Sequence, residues 1–249
     1  MNVSEMRPCR KIAILQSNYI PWKGYFDIIA AVDEFVLFDE VQFTRRDWRN
    51  RNKIIVNGSA TWLSIPVRSK GQFDAPIDEI AISDPGWAEQ HWRSIHHAYR
   101  KAPYFPLYGP LLQTLFEQAA QLPLLSEVNE LFLSNIAGWL ELTTTFVRSR
   151  QVARHADDPT GRLVEICVGR GASLYLSGPA AKAYIRNEVF ESAGVALRYA
   201  DYAGYPVYDQ KAASFEHGVS IIDGLMQCGP SARTHLKSVQ AKDGLFARE

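Results

Sequence analysis

The chain has 249 residues, of which 27 are basic and 27 are acidic. Hydrophobic residues make up 47% and charged residues 22%, which is ordinary for a folded protein and excludes disorder of the whole chain. The balanced charge argues against non-specific binding to nucleic acid, which needs a strong basic field. We therefore expect one large domain over residues 1–249, with no nucleic-acid partner.

The cysteines and the apolar runs indicate the compartment. Cys9, Cys167 and Cys228 are widely spaced and form no disulfide framework, which fits a reducing cytoplasm. The apolar run Ile12–Leu15 is too short for a signal sequence. No stretch approaches the ~20 apolar residues that span a bilayer. We expect a cytoplasmic protein without membrane insertion.

The first elements in chain order predict a parallel βαβ unit. Residues 11–16 and 34–39 are short apolar runs rich in strand formers, and residues 24–32 between them read as a helix. Ligands of parallel sheets bind at the carboxyl ends of the strands. The loop Gln16–Trp22, which follows the first strand, is therefore the expected functional loop.

The next two regions interrupt this pattern. Residues at about 50–82 predict a β-hairpin extension, because apolar and polar residues alternate on both sides of Asn57-Gly58, and a third strand is expected at 77–82. Residues at about 84–142 predict a helical insertion with helices at 86–101, 109–121 and 124–142. Asp84-Pro85 reads as the start of the first helix, and Pro103, Pro106 and Pro110 as its end.

The α/β pattern returns in the last third. Strands are expected at 144–150, 173–178 and 195–202, and helices at 161–170, from 180, at 221–228 and at 231–239. The whole pattern predicts an α/β fold with a mainly parallel sheet flanked by helices, carrying the hairpin extension and the helical insertion.

Polar, basic and aromatic residues are densest between positions 16 and 53. Amides can hydrogen-bond a polar ligand, arginine can clamp a phosphate or carboxylate, and tyrosine and tryptophan can stack on a ring. We expect Arg45, Arg51 and Lys53 to hold an anion, and one of Arg45, Arg49 and Arg51, together with Lys53, to line the largest polar pocket. The alternative is a solvated loop anchored by its tryptophans. The candidate substrate-binding residues here are Gln16, Asn18, Tyr19, Trp22, Gln42, Arg45, Trp48, Asn50, Arg51, Asn52 and Lys53.

Three further positions are candidates for chemistry. Asp39, at the end of a buried strand, can serve as a base or, with Glu40, hold Mg²⁺; the alternative is an ion pair with a nearby arginine. His217 is a second candidate acid or base, against the alternative of a packing residue. Ser177-Gly178 links a strand to a helix and is suited to binding an anion. The alternative is that the serine only caps the helix.

The sequence lacks the motifs of several common sites. None of the histidines forms HExxH, so no zinc site is expected. Neither GxGxxG nor GxxxxGK[ST] occurs, so a nucleotide cofactor is not specified by a motif. ATP or a nucleotide sugar remains compatible with the candidate residues.

Long stretches of the chain resemble the WbqC-like protein family. They include QSNYIPWKGYFDIIAAVDEFVLFDEVQFTRRDWRNRNKI from residue 16, WLSIPV at 62–67, YLSGPAAKAYI at 175–185 and SIIDGLMQCGP at 220–230. The family commonly has proline where this chain has Ser17. The resemblance implies a bacterial cytoplasmic protein of surface-polysaccharide, such as O-antigen, or other sugar-modification gene clusters.

The opening stretch is also similar, more distantly, to pantothenate synthetase and related adenylyl-transferring, nucleotidyltransferase-like folds. This second resemblance implies activation of a carboxylate by ATP and formation of an amide. The two turn histidines of those enzymes are absent, because the turn here carries Asn18, Tyr19, Pro21 and Trp22. Asn18, Lys23 or the downstream arginines are the residues that would replace them.

Two functional hypotheses follow. The first is an enzyme, either a transferase or an ATP-dependent amide-forming ligase, that places an acyl or aminoacyl group on an amino sugar or nucleotide-linked sugar. The second is a non-catalytic accessory protein of polysaccharide assembly that binds a carbohydrate or a nucleotide. Both predict a small-molecule partner, a sugar or a nucleotide.

Overall fold

The computed structural model describes residues 10–72, 74–241 and 244–247. The prediction of an α/β fold is confirmed. The strands are β1 (Lys11–Leu15), β2 (Glu34–Leu37), β3 (Arg51–Val56), β4 (Ser59–Ser64), β5 (Thr145–Arg148), β6 (Leu174–Ser177) and β7 (Ala196–Tyr199). The α-helices are α1 (Lys23–Ala30), α2 (Trp87–Tyr99), α3 (Phe105–Ala119), α4 (Leu125–Trp139), α5 (Pro159–Gly169), α6 (Asn187–Ser192), α7 (Ile221–Cys228) and α8 (Lys237–Gln240).

Five strands form one parallel sheet in the order β5-β2-β1-β6-β7. The predicted βαβ unit is present, since β1 pairs with β2 in parallel with Ile12 opposite Glu34. From β1 the chain moves outward to β2 and β5, then returns to the other side of β1 as β6. The strand order therefore reverses between β1 and β6, which is where ligands bind in open α/β sheets.

The hairpin extension is a separate antiparallel pair, β3 and β4. Its turn is the expected Asn57-Gly58, with φ of 49° and 78°, values that Asn and Gly tolerate. The third strand expected at 77–82 is wrong. A 3-10 turn at Ile77–Glu79 occupies this stretch, and only isolated bridges, such as Ala81 to Leu124, flank it.

Helices α2, α3 and α4 form the helical insertion. Helix α2 begins at Trp87, one residue after the expected start. The prolines act differently from the prediction: Pro106 lies in the first turn of α3 and Pro110 lies inside that helix. Proline is tolerated in a first turn because the N–H groups there have no helical partner.

The two faces of the sheet carry two apolar cores. Alternate strand residues point to opposite faces. Ala13 and Phe35 belong to the larger core, which packs on α1 to α4 and α7, whereas Ile12 and Val36 belong to the smaller core with α5 and α6. The sheet is therefore the middle of three layers, and its carboxyl edge stays open between them.

The last third departs from the predicted helices in two places. Pro179–Ala183 is a 3-10 turn rather than the first part of an α-helix. The helix expected at 231–239 is divided into a 3-10 segment, Gly229–His235, and the short α8. Within the described parts of the chain, no helix combines the length and the apolar character needed to cross a membrane.

Candidate functional site

A cleft of about 360 Å³ opens at the carboxyl edge of the sheet, where β1 and β6 end. The loop after β1 and the Ser177-Gly178 turn after β6 line it together, as the sequence predicted. Tyr175 and Tyr184 add aromatic surface. The polar and aromatic residues that line this cleft are Gln16, Asn18, Tyr25, Phe38, Arg49, Tyr175, Ser177, Gly178 and Tyr184.

Arg49 carries the charge of this cleft. Its guanidinium donates hydrogen bonds to the side-chain oxygens of Asn18 and Gln16 and lies 3.6 Å from Asp47. Its Nε is buried and has no hydrogen-bond partner among the described residues. A guanidinium has five N–H donors in a fork that matches a carboxylate or phosphate. The first cleft, named here the Arg49 cleft, is therefore suited to an anion.

A buried network holds the Arg49 cleft in place. Asn129 of α4 donates to the Ser17 hydroxyl at 3.0 Å and to the Arg49 carbonyl at 2.9 Å. The Tyr25 hydroxyl donates to the Gln16 carbonyl at 2.8 Å. The backbone on both sides of the cleft is thus held in place, which helps to pre-organise the guanidinium.

Asn52 has a positioning role instead of the expected ligand contact. Its side chain is buried, and its Nδ2 donates to the carbonyls of Tyr19 and Ile20 at 3.1 and 3.0 Å. Ile20 has φ of 36°, in the left-handed region that isoleucine rarely adopts. Asn52 therefore ties the hairpin to a strained turn of the functional loop.

Asp39 lies where the loops after β1 and β2 meet. Its Oδ1 accepts a hydrogen bond of 2.7 Å from the backbone N–H of Ser17, between the two residues that bind Arg49. The side chain is buried, and burial raises the pKa of this carboxyl to about 6, although the Ser17 hydrogen bonds and the Arg49 charge act in the opposite direction. A carboxyl with this pKa can accept a proton near neutral pH.

Asp39 lines a second cleft, of about 440 Å³, at the ends of β2 and β5. Five carboxyl groups and two guanidinium groups surround this space, named here the acidic cleft. Arg148 and Arg150 pair with Glu130, Asp78 and Glu79. The charged residues that line it are Asp39, Asp78, Glu79, Glu127, Glu130, Arg148 and Arg150.

Two carboxyl groups of the acidic cleft are left without a cation. Neither Asp39 nor Glu127 forms an ion pair with any residue that the structure describes, and Glu127 Oε2 is buried without a hydrogen-bond partner. A buried carboxylate oxygen without a donor is costly. The acidic cleft therefore favours a ligand that is positively charged or rich in hydrogen-bond donors.

Glu40, the neighbour of Asp39, is a structural residue. It accepts hydrogen bonds from Arg162 at 2.8 and 3.0 Å and from Ser149 at 2.9 Å. The alternative of an ion pair thus applies to Glu40, but its arginine comes from α5 and not from the nearby stretch. Within the described residues, no group of three or more His, Cys, Asp or Glu side chains is placed to hold a metal ion.

Several predicted site residues lie outside both clefts. Tyr19 is fully buried, with its hydroxyl 2.8 Å from Nδ1 of His91. Trp22 packs edge-on against Tyr202 and Tyr205. These two rings belong to the packing of the loop because both point away from the sheet edge, toward the larger core.

The expected anion clamp of Arg45, Arg51 and Lys53 is not in the Arg49 cleft. Arg45 donates to the Ser69 carbonyl, and Lys53 lies 3.6 Å from Glu216. Because β3 alternates between its two faces, Arg51 and Lys53 lie on the outer face of the hairpin, opposite Asn52. Gln42 pairs with Pro76 in a β-bridge, and Asn50 donates to the Ile65 carbonyl at 2.8 Å.

The structure does not bring His217 to Asp39. His217 packs on Phe215 and lines a separate cavity of about 10 Å³, room for about one water molecule. Burial and the Lys23 charge lower the pKa of this imidazole. Lys23 lines the same cavity, surrounded by the rings of Tyr205, Tyr208 and Phe215, so it does not replace a phosphate-binding histidine in the Arg49 cleft.

Ser177 does not cap a helix. The N-cap of the 3-10 turn is Gly178, without a side-chain hydrogen bond, and the Ser177 hydroxyl is 3.2 Å from the Tyr175 hydroxyl. The turn is too short for a helix dipole, so Ser177 contributes only its position on the cleft wall. The predicted proximity of this turn to the Gln16–Trp22 loop is nevertheless found.

Sequence reasoning did not single out three residues of this edge. Arg49 was one of several arginines in a basic run, and nothing in the letters separates it from Arg45 or Arg51. Asn129 and Glu127 belong to a helix more than 70 positions away from the loops that they contact. Only the register of α4 against the sheet brings them to the site.

A family model described as the WbqC-like protein family matches residues 16–235. The chain belongs to this family. The matched range of this WbqC-like protein includes the whole lining of the acidic cleft and all of the Arg49 cleft except Ile14 and Leu15. An uncharacterized protein from Mycobacterium tuberculosis is 40% identical over 230 residues, which cover 92% of this chain and 98% of the relative. No solved structure matches the chain.

Proposed function

We propose that this WbqC-like protein is an enzyme of bacterial surface-polysaccharide or other sugar-modification pathways, acting in the cytoplasm. It transfers an acyl or aminoacyl group to the amine of an amino sugar or nucleotide-linked sugar. The observation that carries this proposal is the position of Asp39, which lines the acidic cleft and accepts a hydrogen bond from Ser17, between two residues that line the Arg49 cleft. Membership in the family supports the polysaccharide context.

The Arg49 cleft suits the anionic partner of such a reaction. Arg49 supplies a guanidinium whose orientation is fixed by Gln16 and Asn18. A phosphate of the nucleotide or a carboxylate of the donor would complete its hydrogen bonds. The exposed ring of Tyr184 offers flat surface for a base or a sugar ring.

The acidic cleft suits the amine. An ammonium group beside Asp39 and Glu127 would supply a positive charge and hydrogen-bond donors to the two carboxyl groups that lack a paired cation. The carboxyl with the pKa of about 6 is then next to the nitrogen that must lose a proton. Residues on one wall of the acidic cleft can therefore both attract the amine and accept its proton.

The transfer step follows from these positions. The bound ammonium releases one proton to solvent; the resulting amine passes a second proton to the Asp39 carboxylate, and its lone pair forms a C–N bond with the acyl carbon. The leaving group departs with the electrons of its bond to that carbon, and a proton returns to it or to solvent from Asp39. Arg49 balances the negative charge of the anionic partner throughout.

A mass-spectrometric assay tests the proposal. The protein is incubated with UDP-glucosamine and, in separate reactions, with acetyl-CoA or with an amino acid and ATP. An N-acylated nucleotide sugar is expected in one of these reactions, and formation of AMP or ADP identifies the ligase rather than the transferase. Absence of any acylated product over a wider panel of amino sugars and donors would contradict the enzyme proposal.

The alternative proposal is a non-catalytic accessory protein that binds a carbohydrate or a nucleotide. A specific observation favours it: Trp48 and Trp62 form an exposed aromatic pair outside the Arg49 cleft. Such a protein needs Arg49 and the aromatic residues but no proton acceptor. Asp39→Asn separates the two, since it removes the base while keeping the size of the side chain.

A further inference from the structure

Two tryptophans on the hairpin are exposed without an obvious structural reason. Trp48 and Trp62 are 38% and 43% exposed, and their ring centroids are 5.3 Å apart at an angle of 40°. Of the six tryptophans, the other four pack into the larger core, but these two do not. Large aromatic rings held together at a surface mark an interaction site.

Two cations share the face of this pair. The Arg51 guanidinium carbon lies 4.3 Å from the centre of the Trp62 ring, and Lys53 Nζ lies 5.3 Å from it. The strand register sets this arrangement, because Lys53 is directly opposite Trp62. Arg51 Nε is buried and has no hydrogen-bond partner among the described residues. The face therefore combines flat apolar surface with positive charge.

This face is linked to the Arg49 cleft through the backbone. Trp48 immediately precedes Arg49, and the Trp48 carbonyl accepts a hydrogen bond of 3.1 Å from the N–H of Tyr19 in the functional loop. The hairpin, closed by Asn57-Gly58, presents Trp62, and the turn before β3 presents Trp48.

We propose that the outer face of the hairpin, formed by Trp48, Arg51, Lys53 and Trp62, binds an acidic saccharide. The apolar C–H faces of pyranose rings stack on the tryptophans, and a carboxylate or phosphate on the saccharide pairs with Arg51 and Lys53. This site deepens the proposed function and rests on it in one respect, which is what the binding serves. The bound saccharide is the substrate of the two clefts, or a chain attached to that substrate.

The charges around the face favour a saccharide over a nucleic acid. Single-stranded nucleic acid binds along a continuous basic groove with stacked aromatics. Here Glu216 lies 3.6 Å from Lys53, and Asp47 lies 3.6 Å from Arg49. Carboxylates therefore interrupt the basic charge of this region.

Titration calorimetry with oligogalacturonate tests the proposal, with neutral malto-oligosaccharide and oligothymidylate as comparison ligands. We expect the acidic saccharide to bind and Trp62→Ala or Arg51→Gln to weaken it by roughly tenfold or more. Leu111→Ala, which removes an equally exposed apolar side chain from α3, should leave binding unchanged. Thermal unfolding of each variant checks that the fold is intact, and Arg51→Gln serves if Trp62→Ala does not fold.

The outcomes separate this inference from the proposed function. The hairpin site would be overturned if the acidic saccharide did not bind, or if both hairpin variants kept its binding. Equal binding of the neutral sugar or of oligothymidylate would overturn it as well. Asp39→Asn should retain saccharide binding because Asp39 is not on this face. If the hairpin variants lose saccharide binding while no acyl transfer is ever found, the hairpin site stands and the transfer proposal fails.

Discussion

The Asp39 carboxylate accepts a 2.7 Å hydrogen bond from the backbone N–H of Ser17. This contact joins the loops that follow two neighbouring parallel strands, and it places a buried carboxyl between the Arg49 cleft and the acidic cleft. The carboxyl is held there without a paired cation among the described residues. Its position is therefore unfavourable for stability and favourable for proton transfer.

Asp39→Asn should stabilise the protein at neutral and alkaline pH. Because the folded pKa, about 6, lies above the ordinary value of 3.8, the folded state binds the proton more tightly than the unfolded state does. Stability is therefore lost as pH rises from the unfolded pKa through the folded one. Asparagine avoids this loss, so at about pH 8 it should raise the free energy of unfolding by up to about 3 kcal/mol.

Urea unfolding at several pH values checks this prediction. Near pH 3, below both pKa values, the variant and the original protein should differ little, since both side chains are neutral. Asp157→Asn, at an exposed carboxylate, is the matched control and should change little at any pH. A variant that is less stable than the original at every pH would show that Asp39 contributes to stability rather than costing it.

Asn52→Ala should destabilise the protein and loosen the functional loop. The substitution leaves the buried carbonyls of Tyr19 and Ile20 without their donor, at a cost of about 2–3 kcal/mol. The strained φ of Ile20 then relaxes, so binding in the Arg49 cleft should weaken as well. Chemical denaturation measures the first effect. Asn135→Ala, which removes a hydrogen bond within α4, should be milder; equal effects would contradict the role of Asn52.

Arg49→Gln should weaken binding of a phosphate-bearing ligand. The variant removes the positive charge and the fork of donors from the Arg49 cleft. We therefore expect the affinity for UDP-glucosamine to fall by roughly 10–100-fold. Calorimetry gives the affinities. Arg45→Gln removes the same charge from a nearby residue outside the cleft and should have little effect. Similar losses in both variants would point to a general field rather than to a specific site.

Local sequence patterns predicted the parts of the fold that depend on local chemistry. The alternating and continuous apolar runs indicated β1, β2, β6 and the hairpin, and Asn57-Gly58 indicated its turn. Parallel pairing then placed the loops after β1 and β6 at one edge, because parallel strands end together. The cleft itself was thus predictable as a location.

The roles of individual side chains depended on contacts that sequence letters do not contain. Tyr19 looked like a surface ring but is buried against Trp87 and Phe132, from helices of the insertion. Arg51 looked equivalent to Arg49, yet Arg49 lies in the turn before β3 and Arg51 in the strand itself, so the two side chains reach different surfaces. In both cases contacts between distant parts of the chain determine where the side chain lies. Such contacts cannot be predicted from residue spacing.

The most direct test of the account is turnover against binding in Asp39→Asn, with the acylation assay and calorimetry run on the same preparation. The account predicts that acyl transfer falls by roughly 10²–10⁴-fold, the usual contribution of a general base, while affinity for UDP-glucosamine falls by no more than about tenfold, because Glu127 and Arg49 still contact the ligand. In the original protein, activity should rise with pH through about 6, as the carboxyl ionises. Full activity of Asp39→Asn, with unchanged pH dependence, would contradict the central claim that this carboxyl takes the proton between the two clefts.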